Sequence, residues 1–456
     1  MNHIIGKHIF LQHPDTQQGD VEYYKRKKIF LEEANLLSHK RITFRDIDKG
    51  EIDKSIFKIK HVVFEVTEHC NLNCVYCAFG EIYSGNVERI KERRNMKPED
   101  AIKLLEHLYP AWKEREIMGL PQRIMIGFYG GEPLLNYTLM EAIVLWAKEH
   151  ATSLLKFEFS VTTNGLLLNK YMDFLVKHGF IVSISLDGNE ENMSYRIDHQ
   201  GESCFKRVVN NIMILKKDYP DFFDKKVAFL TVLHNKNSVE QVTNFCMTYF
   251  NKMPICSNLN DSGVAPQKKA IFSEMYETIP DKVSKKNLKT MIRAGSGLND
   301  VINLLQFFSG FYFYNYNALL QKDIINEVRV TPTGCCIPFS REIYMSINGN
   351  LYPCERIDAC FAMGNIHDTP VLDTAQIASR YNQYYKKLCS VCSPCKRKFS
   401  CKKCLFHIDT IQEKKPQCDN IMKWEKFNEM VDFNISICKK HPELYRIIIK
   451  QIKFAL

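Results

Sequence analysis

The sequence predicts a parallel α/β fold followed by a small cysteine-rich α+β module. Three observations carry that expectation. Apolar runs alternate with helical stretches from His61 to about Asn260. Cysteines crowd the C-terminal third at metal-like spacings, five of them between Cys389 and Cys404. The composition, 45% hydrophobic and 25% charged, is that of an ordinary globular protein, and 456 residues leave room for two or three domains. The net charge of +10 is spread along the chain, so alone it does not choose between nucleic acid, acidic peptide and anionic cofactor.

In order, residues 1–58 form an N-terminal extension with one predicted helix, Asp20 to about Ser38. It either packs under the next domain or grips the leader of a peptide. Residues 59–260 form the core. Its strands are expected at His61–Val66, Arg123–Phe128, Phe157–Val161, Ile181–Leu186 and Val227–Leu233, each apolar enough to be buried on both faces. Helices are expected at Lys97–Trp112, Leu139–Ala151, Lys170–Lys177 and Phe205–Lys217; Pro98, Glu99 and Asp100 suit a first turn. Residues 261–330 bridge, with an aromatic run at Leu304–Tyr314 that is either core or substrate wall. Residues 331–425 are the cysteine-rich domain and 426–456 a helical tail. Asn348-Gly349 predicts a tight hairpin with both turn residues at positive φ. The N-terminus lacks a signal-peptide core and no apolar run approaches 18 residues. A cytoplasmic, reducing setting with no membrane partner is therefore expected, and disulfides are the poorer reading of the 17 cysteines.

The chemistry gathers after the first strand. Cys70, Cys74 and Cys77 stand as C-x3-C-x2-C, with Tyr76 before the third. Three thiolates on an iron–sulfur cube leave one iron open to a non-protein ligand. A zinc knuckle is the alternative, but zinc wants a fourth local ligand. Strand ends supply the other candidates, as parallel sheets place ligands there. Gly130-Gly131-Glu132 pairs two permissive residues with an acceptor for an ammonium. Thr163-Asn164 and Ser185 with Asp187 follow, and Arg196 is a candidate carboxylate partner, with Arg207 competing. Downstream, Cys336, Cys354, Cys392, Cys395, Cys401, Cys404 and Cys418 suit iron–sulfur ligation better than zinc, whose cysteine pairs usually stand further apart. Glu355, beside Cys354, is either an acid/base group or a surface carboxylate. Lys396, Arg397, Lys398, Lys402 and Lys403 either offset cluster charge or form a solvated loop. Cys204, Cys246, Cys256 and Cys438 read as small core residues.

The loop Cys70–Cys77, the Gly130-Gly131-Glu132 turn and the C-terminal cysteine order resemble the radical S-adenosylmethionine (SAM) superfamily with a SPASM extension, over about residues 60–420. The resemblance implies a partial (β/α)6 barrel. It implies a [4Fe-4S] cluster on Cys70, Cys74, Cys77 and SAM, with Glu132 on SAM's amino group and Thr163 and Asn164 near the nucleoside. Ser185 and Asp187 would face the ribose and carboxylate, and Tyr76, Gly130, Gly131 and Arg196 would complete the cofactor site. Two auxiliary [4Fe-4S] clusters are implied: one on Cys336, Cys354 and Cys404, the other on Cys392, Cys395, Cys401 and Cys418. This sequence departs from the pattern in its last x2 spacing and in the extra thiols Cys335, Cys360 and Cys389, any of which could complete the first auxiliary cluster; a substrate thiolate is the other option.

The implied activity is an oxidoreductase acting on a peptide or protein: a maturase that cleaves SAM reductively and installs a thioether or carbon–carbon cross-link in a ribosomally made precursor. An anaerobic sulfatase-maturating (formylglycine-generating) enzyme and a non-catalytic iron–sulfur or zinc scaffold are the alternatives. Implied partners are the peptide or protein substrate and an electron donor such as flavodoxin or ferredoxin, with no nucleic acid.

Overall fold

The structure, a computed structural model, describes residues 41–83, 92–260, 263–276, 327–395, 401, 403–408, 410–418, 421 and 423. The helix expected at Asp20–Ser38, the run Leu304–Tyr314, Lys396–Lys398, Lys402, Cys438 and the helical tail lie outside the described residues. The chain forms two compact units, cut differently from the sequence-based boundaries. One comprises Asp48–Lys285 and Cys336–Ala378; the other comprises Met1–Ile47, Lys286–Cys335 and Ser379–Leu456.

In chain order the strands are β1 (Arg41–Phe44), β2 (His61–Thr67), β3 (Gln122–Gly130), β4 (Leu155–Thr163), β5 (Ile181–Ser185), β6 (Val227–Leu233), β7 (Pro254–Asn258), β8 (Glu327–Val330), β9 (Ile343–Met345), β10 (Asn350–Tyr352) and β11 (Gly364–Asn365). The helices are α1 (Lys49–Phe57), α2 (Pro98–Ile117), α3 (Tyr137–His150), α4 (Leu168–Lys177), α5 (Phe205–Asp218), α6 (Pro220–Lys226), α7 (Val239–Phe250), α8 (Lys269–Met275) and α9 (Thr374–Cys392).

The first unit holds a nine-stranded sheet in the order β11-β10-β9-β2-β3-β4-β5-β6-β7. From β2 to β7 every pairing is parallel and neighbours follow chain order, the six-stranded partial barrel that the resemblance implies. β2 is buried from Val62 through Thr67, as a central parallel strand covered on both faces should be. β7 escaped the sequence reading because only Pro254 in it is buried, so it lacks the apolar run that marks the others.

Helices cover the strands for local reasons. α2 starts with Pro98 at its first position and Glu99 and Asp100 in its first turn, where an absent N–H costs nothing and acids meet the helix dipole. It runs past the expected stop at Trp112 to Ile117. Trp112 is fully buried there, its Nε1–H donating to Ile59 O at 3.0 Å while Gln122 Nε2 donates to its carbonyl at 2.7 Å. Ser238 caps α7 by accepting from Gln241 N at 3.2 Å, and Asn251 closes it at φ 52°, a conformation asparagine tolerates. Phe128, Phe159 and Phe180 pack ring to ring at 5.3 to 6.4 Å in the core. Each such buried ring contributes about 1.5–3 kcal/mol.

The hairpin β9–β10 is present, and it extends the barrel sheet by pairing β9 in parallel with β2. Its turn corrects the expectation of two positive-φ residues. Gly349 alone is left-handed, at φ 75°, and Gly349 N–H donates to Ser346 O at 2.9 Å. The connection is a four-residue turn, Ser346 to Gly349, with glycine in its last position.

In the second unit β1 pairs in parallel with β8. Asn382 on α9 exchanges hydrogen bonds with both backbone groups of Ile47, at 2.9 and 2.8 Å. Tyr381 and Tyr385 are buried, and Tyr381 meets Phe406 edge-on at 5.4 Å.

Candidate active site

The cysteine loop leaves the C-terminal end of β2 and is stitched to the end of β3. Gly131 N–H donates to Thr67 O at 2.7 Å and Glu132 N–H to His69 O at 2.8 Å. A Cβ on Gly131 would sit 2.0 Å from His69 O; one on Gly130, whose φ is 130°, would sit 2.5 Å from Thr67 O. The close approach expected of the glycine pair is therefore made to the cysteine loop's own backbone. Only glycine permits it.

Glu132 is fully buried. Its carboxylate accepts from Leu134 N at 3.2 Å, Thr163 Oγ1 at 2.8 Å and Asn164 N at 2.7 Å. Burial pushes the group up to about 7 despite these donors. A carboxylate offers about four lone-pair sites, so one remains for a further donor such as an ammonium. Asn164 then reaches the cysteine loop: its Nδ2 donates to Asn71 Oδ1 at 2.7 Å and lies 3.8 Å from Cys70 Sγ. Thr163 and Asn164 thus fasten the Glu132 carboxylate and the loop to each other.

Tyr76, Asp187 and Arg196 form a second buried group. Arg196 Nε and Nη2 grip both oxygens of Asp187 at 2.8 and 3.1 Å, Val232 N donates to the same carboxylate at 3.0 Å, and the Tyr76 hydroxyl donates to it as well. Four donors fill Asp187, leaving it no acceptor for a ribose. It acts here as the anchor of Arg196 and Tyr76. Burial opposes its ionisation, but Arg196, His234 and Tyr76 outweigh that and hold the carboxyl at about 2. The guanidinium lies 5.4 Å from the centre of the Tyr76 ring. Ser185 is half-buried at the end of β5.

Three residues that sequence reasoning passed over join the loop. Val75 N–H donates to Tyr195 O at 3.0 Å, and the His199 ring bonds Cys70 O at 2.8 Å. His234, fully buried, packs its ring at a tilt 5.5 Å from that of Tyr76, with Nε2 3.9 Å from Asp187. It follows directly on β6, so the rule that ligands gather at strand ends would have found it. Arg207 bonds Asp198 at 2.8 Å on the surface and takes no part in this group.

The loop's donor set fits a thiolate-bound cluster. Leu72 N–H lies 3.4 Å from Cys70 Sγ, a contact that stabilises a thiolate. Burial pushes the Cys70 thiol up to about 12 and raises Cys74 and Cys77 too. Iron would have to displace those protons.

Glu355 stands apart from these groups. Its carboxyl, Glu342 and Cys354 cluster near the N-terminal end of β2, where His61 Nδ1 meets Glu342 at 3.0 Å. Burial and the Glu342 carboxyl push Glu355 up. Arg341 is raised by a bond to Cys336 and feels Cys354 too, which puts both thiols in its range.

In the other unit Cys335 and Cys404 lie 3.4 Å apart, sulfur to sulfur, and Gly334 N–H donates to Lys403 O at 3.1 Å beside them. Burial pushes the Cys392 thiol up to about 12, and Cys401, Cys418 and Cys395 push it the same way, so those four lie in one neighbourhood. Cys389 donates to Tyr385 O at 3.2 Å within α9. Cys204 and Cys246 are buried, as core residues should be, whereas Cys256 is half-buried.

Residues 64–246 match the sequence profile of the Radical SAM superfamily. They form a radical SAM domain. The radical SAM cyclopropyl synthase TigE of Paramaledivibacter caminithermalis is 30% identical over 200 residues, 43% of this chain and 38% of that protein. A cysteine-type anaerobic sulfatase-maturating enzyme of Clostridium novyi is 26% identical over 63% of this chain and 71% of its own length. The solved structure of anSMEcpe with bound AdoMet superposes with a TM-score of 0.56 at 19% identity, over 85% of this chain and 98% of that one; it supports the partial barrel. Residues 64–246 thus carry the domain of a family that uses a [4Fe-4S] cluster and SAM. No helix among the described residues is long and apolar enough to cross a membrane.

Proposed function

We propose that this enzyme is a peptide maturase that installs a thioether or carbon–carbon cross-link in a ribosomally made precursor. The observation that carries the reading is the second thiol system, which a radical SAM barrel alone does not need. Cys392, Cys395, Cys401 and Cys418 share one neighbourhood, and Cys335 stands against Cys404. We assign the former four to one auxiliary cluster and Cys404 to another, with Cys336 and Cys354 as its other sequence-assigned ligands. Cys335 is the preferred extra ligand, because its sulfur already stands 3.4 Å from that of Cys404, whereas Cys389 is bonded into its helix.

The cluster on Cys70, Cys74 and Cys77 supplies the electron that cleaves SAM to methionine and a hydrogen-abstracting 5′-deoxyadenosyl radical. The chain's part is placement. Glu132 keeps one acceptor site for SAM's amino group, Gly130 and Gly131 let β3 close on the loop, and Arg196 offers a buried cation for the carboxylate. Thr163, Asn164 and Ser185 complete the cofactor side at neighbouring strand ends, and Glu355 is the acid/base candidate. A low-potential flavodoxin or ferredoxin would deliver electrons, in the reducing cytoplasm that free thiols favour.

Formylglycine generation is the second reading, favoured by the Clostridium novyi relative, which matches over 71% of its length. Anaerobic incubation with SAM and dithionite decides first between an enzyme and a scaffold. The wild type should release 5′-deoxyadenosine and Cys70→Ala should release none; full activity in that variant would end the assignment. Mass spectrometry of a short cysteine-rich precursor encoded nearby, against a sulfatase peptide, then separates the two maturases.

A further inference from the structure

We propose that the buried Asp187–Arg196 pair is a positioning device that sets the reduction potential of the cluster held by Cys70, Cys74 and Cys77, separately from any contact with SAM. The inference rests on that cluster assignment and goes beyond the substrate reading.

Backbone geometry puts Arg196 opposite Cys74. Asn73 N–H donates to Ile197 O at 2.7 Å and Val75 N–H to Tyr195 O at 3.0 Å. These two bonds bracket one residue on each segment, Cys74 on the loop and Arg196 on its partner. The His199 ring adds a third tie, to Cys70 O at 2.8 Å. The segment 195–199 therefore holds the loop from Cys70 to Val75. Arg196 cannot drift within that frame, because Asp187 grips it with two bonds, and its side chain is 8% exposed against 0% for the partner. Asp187 is itself fixed by Val232 N and by the Tyr76 hydroxyl, a residue of the same cysteine loop. The Cys204 thiol donates to Arg196 O at 3.1 Å behind it. Loop, carboxylate and guanidinium form one rigid unit before any ligand arrives.

A charge so placed has a redox consequence. A cluster with three thiolates gains one electron from an external low-potential donor and becomes one unit more negative. A fixed guanidinium nearby favours the reduced form; the Asp187 carboxylate opposes it, and its closeness to the guanidinium moderates the effect. The pair thus predicts effects of opposite sign from its two members. A purely structural pair would not produce them.

The test is a redox titration of the anaerobically reconstituted full chain. Deazaflavin photoreduction or dithionite is the reductant, viologens are the mediators, and electron paramagnetic resonance is the readout. The relevant signal is identified by its change on adding SAM and then titrated without SAM, so that a role limited to the SAM carboxylate leaves it unmoved. For Arg196→Gln the reduced-to-oxidised ratio at a fixed potential should fall about tenfold, equivalent to about 59 mV for one electron. Arg196→Lys should recover to within about threefold of wild type, and Asp187→Asn should shift the ratio upward. If Arg196→Gln does not hold its cluster, the upward shift in Asp187→Asn carries the test alone. An unmoved potential in Arg196→Gln, or a downward shift in Asp187→Asn, overturns the inference. A wild type with no SAM-responsive signal overturns the cluster assignment on which it rests.

Discussion

Glu132→Gln is the perturbation that most directly probes the cofactor site. The carboxylate is fully buried and accepts three donors, two on Oε1 and one on Oε2. Glutamine keeps the shape, but its NH2 must face either Asn164 N–H or the Leu134 and Thr163 donors. One buried hydrogen bond is lost in the milder orientation, at about 1–3 kcal/mol. The charge for SAM's amino group is also lost, and a charge-assisted bond is worth about 1.5–3 kcal/mol, or about 10- to 150-fold in affinity. A pH signature accompanies the loss. The folded carboxyl sits at about 7 against an ordinary 4.5, so the ligand-free native state binds the extra proton. Its stability contribution is therefore full below pH 4.5 and declines as pH rises towards 7, by up to about 3 kcal/mol. SAM needs the ionised form, so wild-type affinity should rise about eightfold from pH 6 to pH 7.5, and the variant should show no such rise. Isothermal titration calorimetry on reconstituted protein measures both. Equal affinities within about twofold at pH 7.5, or a flat wild-type profile, would refute the assignment of Glu132.

Two further substitutions probe the scaffold around the thiols. Gly131→Ala puts a methyl 2.0 Å from His69 O, so the loop must move; a melting temperature lower by several degrees and poor iron retention are expected, and a wild-type iron content would show the stitch to be dispensable. Cys335→Ser should lower iron and sulfide per chain by up to about four of each while Cys360→Ser and Cys389→Ser leave them unchanged, since a cube carries four irons; equal losses in all three would remove Cys335 as the extra ligand.

The barrel was legible from the apolar runs at His61, Arg123, Phe157, Ile181 and Val227, although only β2 is buried without a break; β4, β5 and β6 alternate buried residues with more accessible ones. β7 was not, because an edge strand with one buried residue carries no such signal. The hairpin was legible from Asn348-Gly349, but its turn type was not. Whether asparagine takes the left-handed position depends on the length of the connection, and here Ser346 begins the turn one residue earlier than a two-residue loop allows. The site was legible as a set of residue types at strand ends, but their pairing was not. Sequence offered Asp187 and Arg196 as separate ligand contacts, whereas two buried opposite charges in reach of each other pair first, because either alone would cost several kcal/mol in desolvation.

Distance along β2 divides the barrel's chemistry into two ends. The strand runs seven residues from His61 to Thr67, about 20 Å at 3.3 Å per residue. Cys70 and Glu132 lie past its C-terminal end, and Glu342, Cys354 and Glu355 gather near its N-terminal end, beside His61. An acid/base group there cannot touch SAM's amino or carboxylate groups at the far end; under the proposed maturase activity its partner is the peptide. Glu355→Gln should therefore leave the SAM dissociation constant within about twofold of wild type, while changing the yield of modified peptide per 5′-deoxyadenosine released. Calorimetry and product ratios read the two effects separately. A tenfold loss of SAM affinity in this variant would place Glu355 at the wrong end of the barrel, and the assignment of opposite ends to radical generation and proton handling would fall with it.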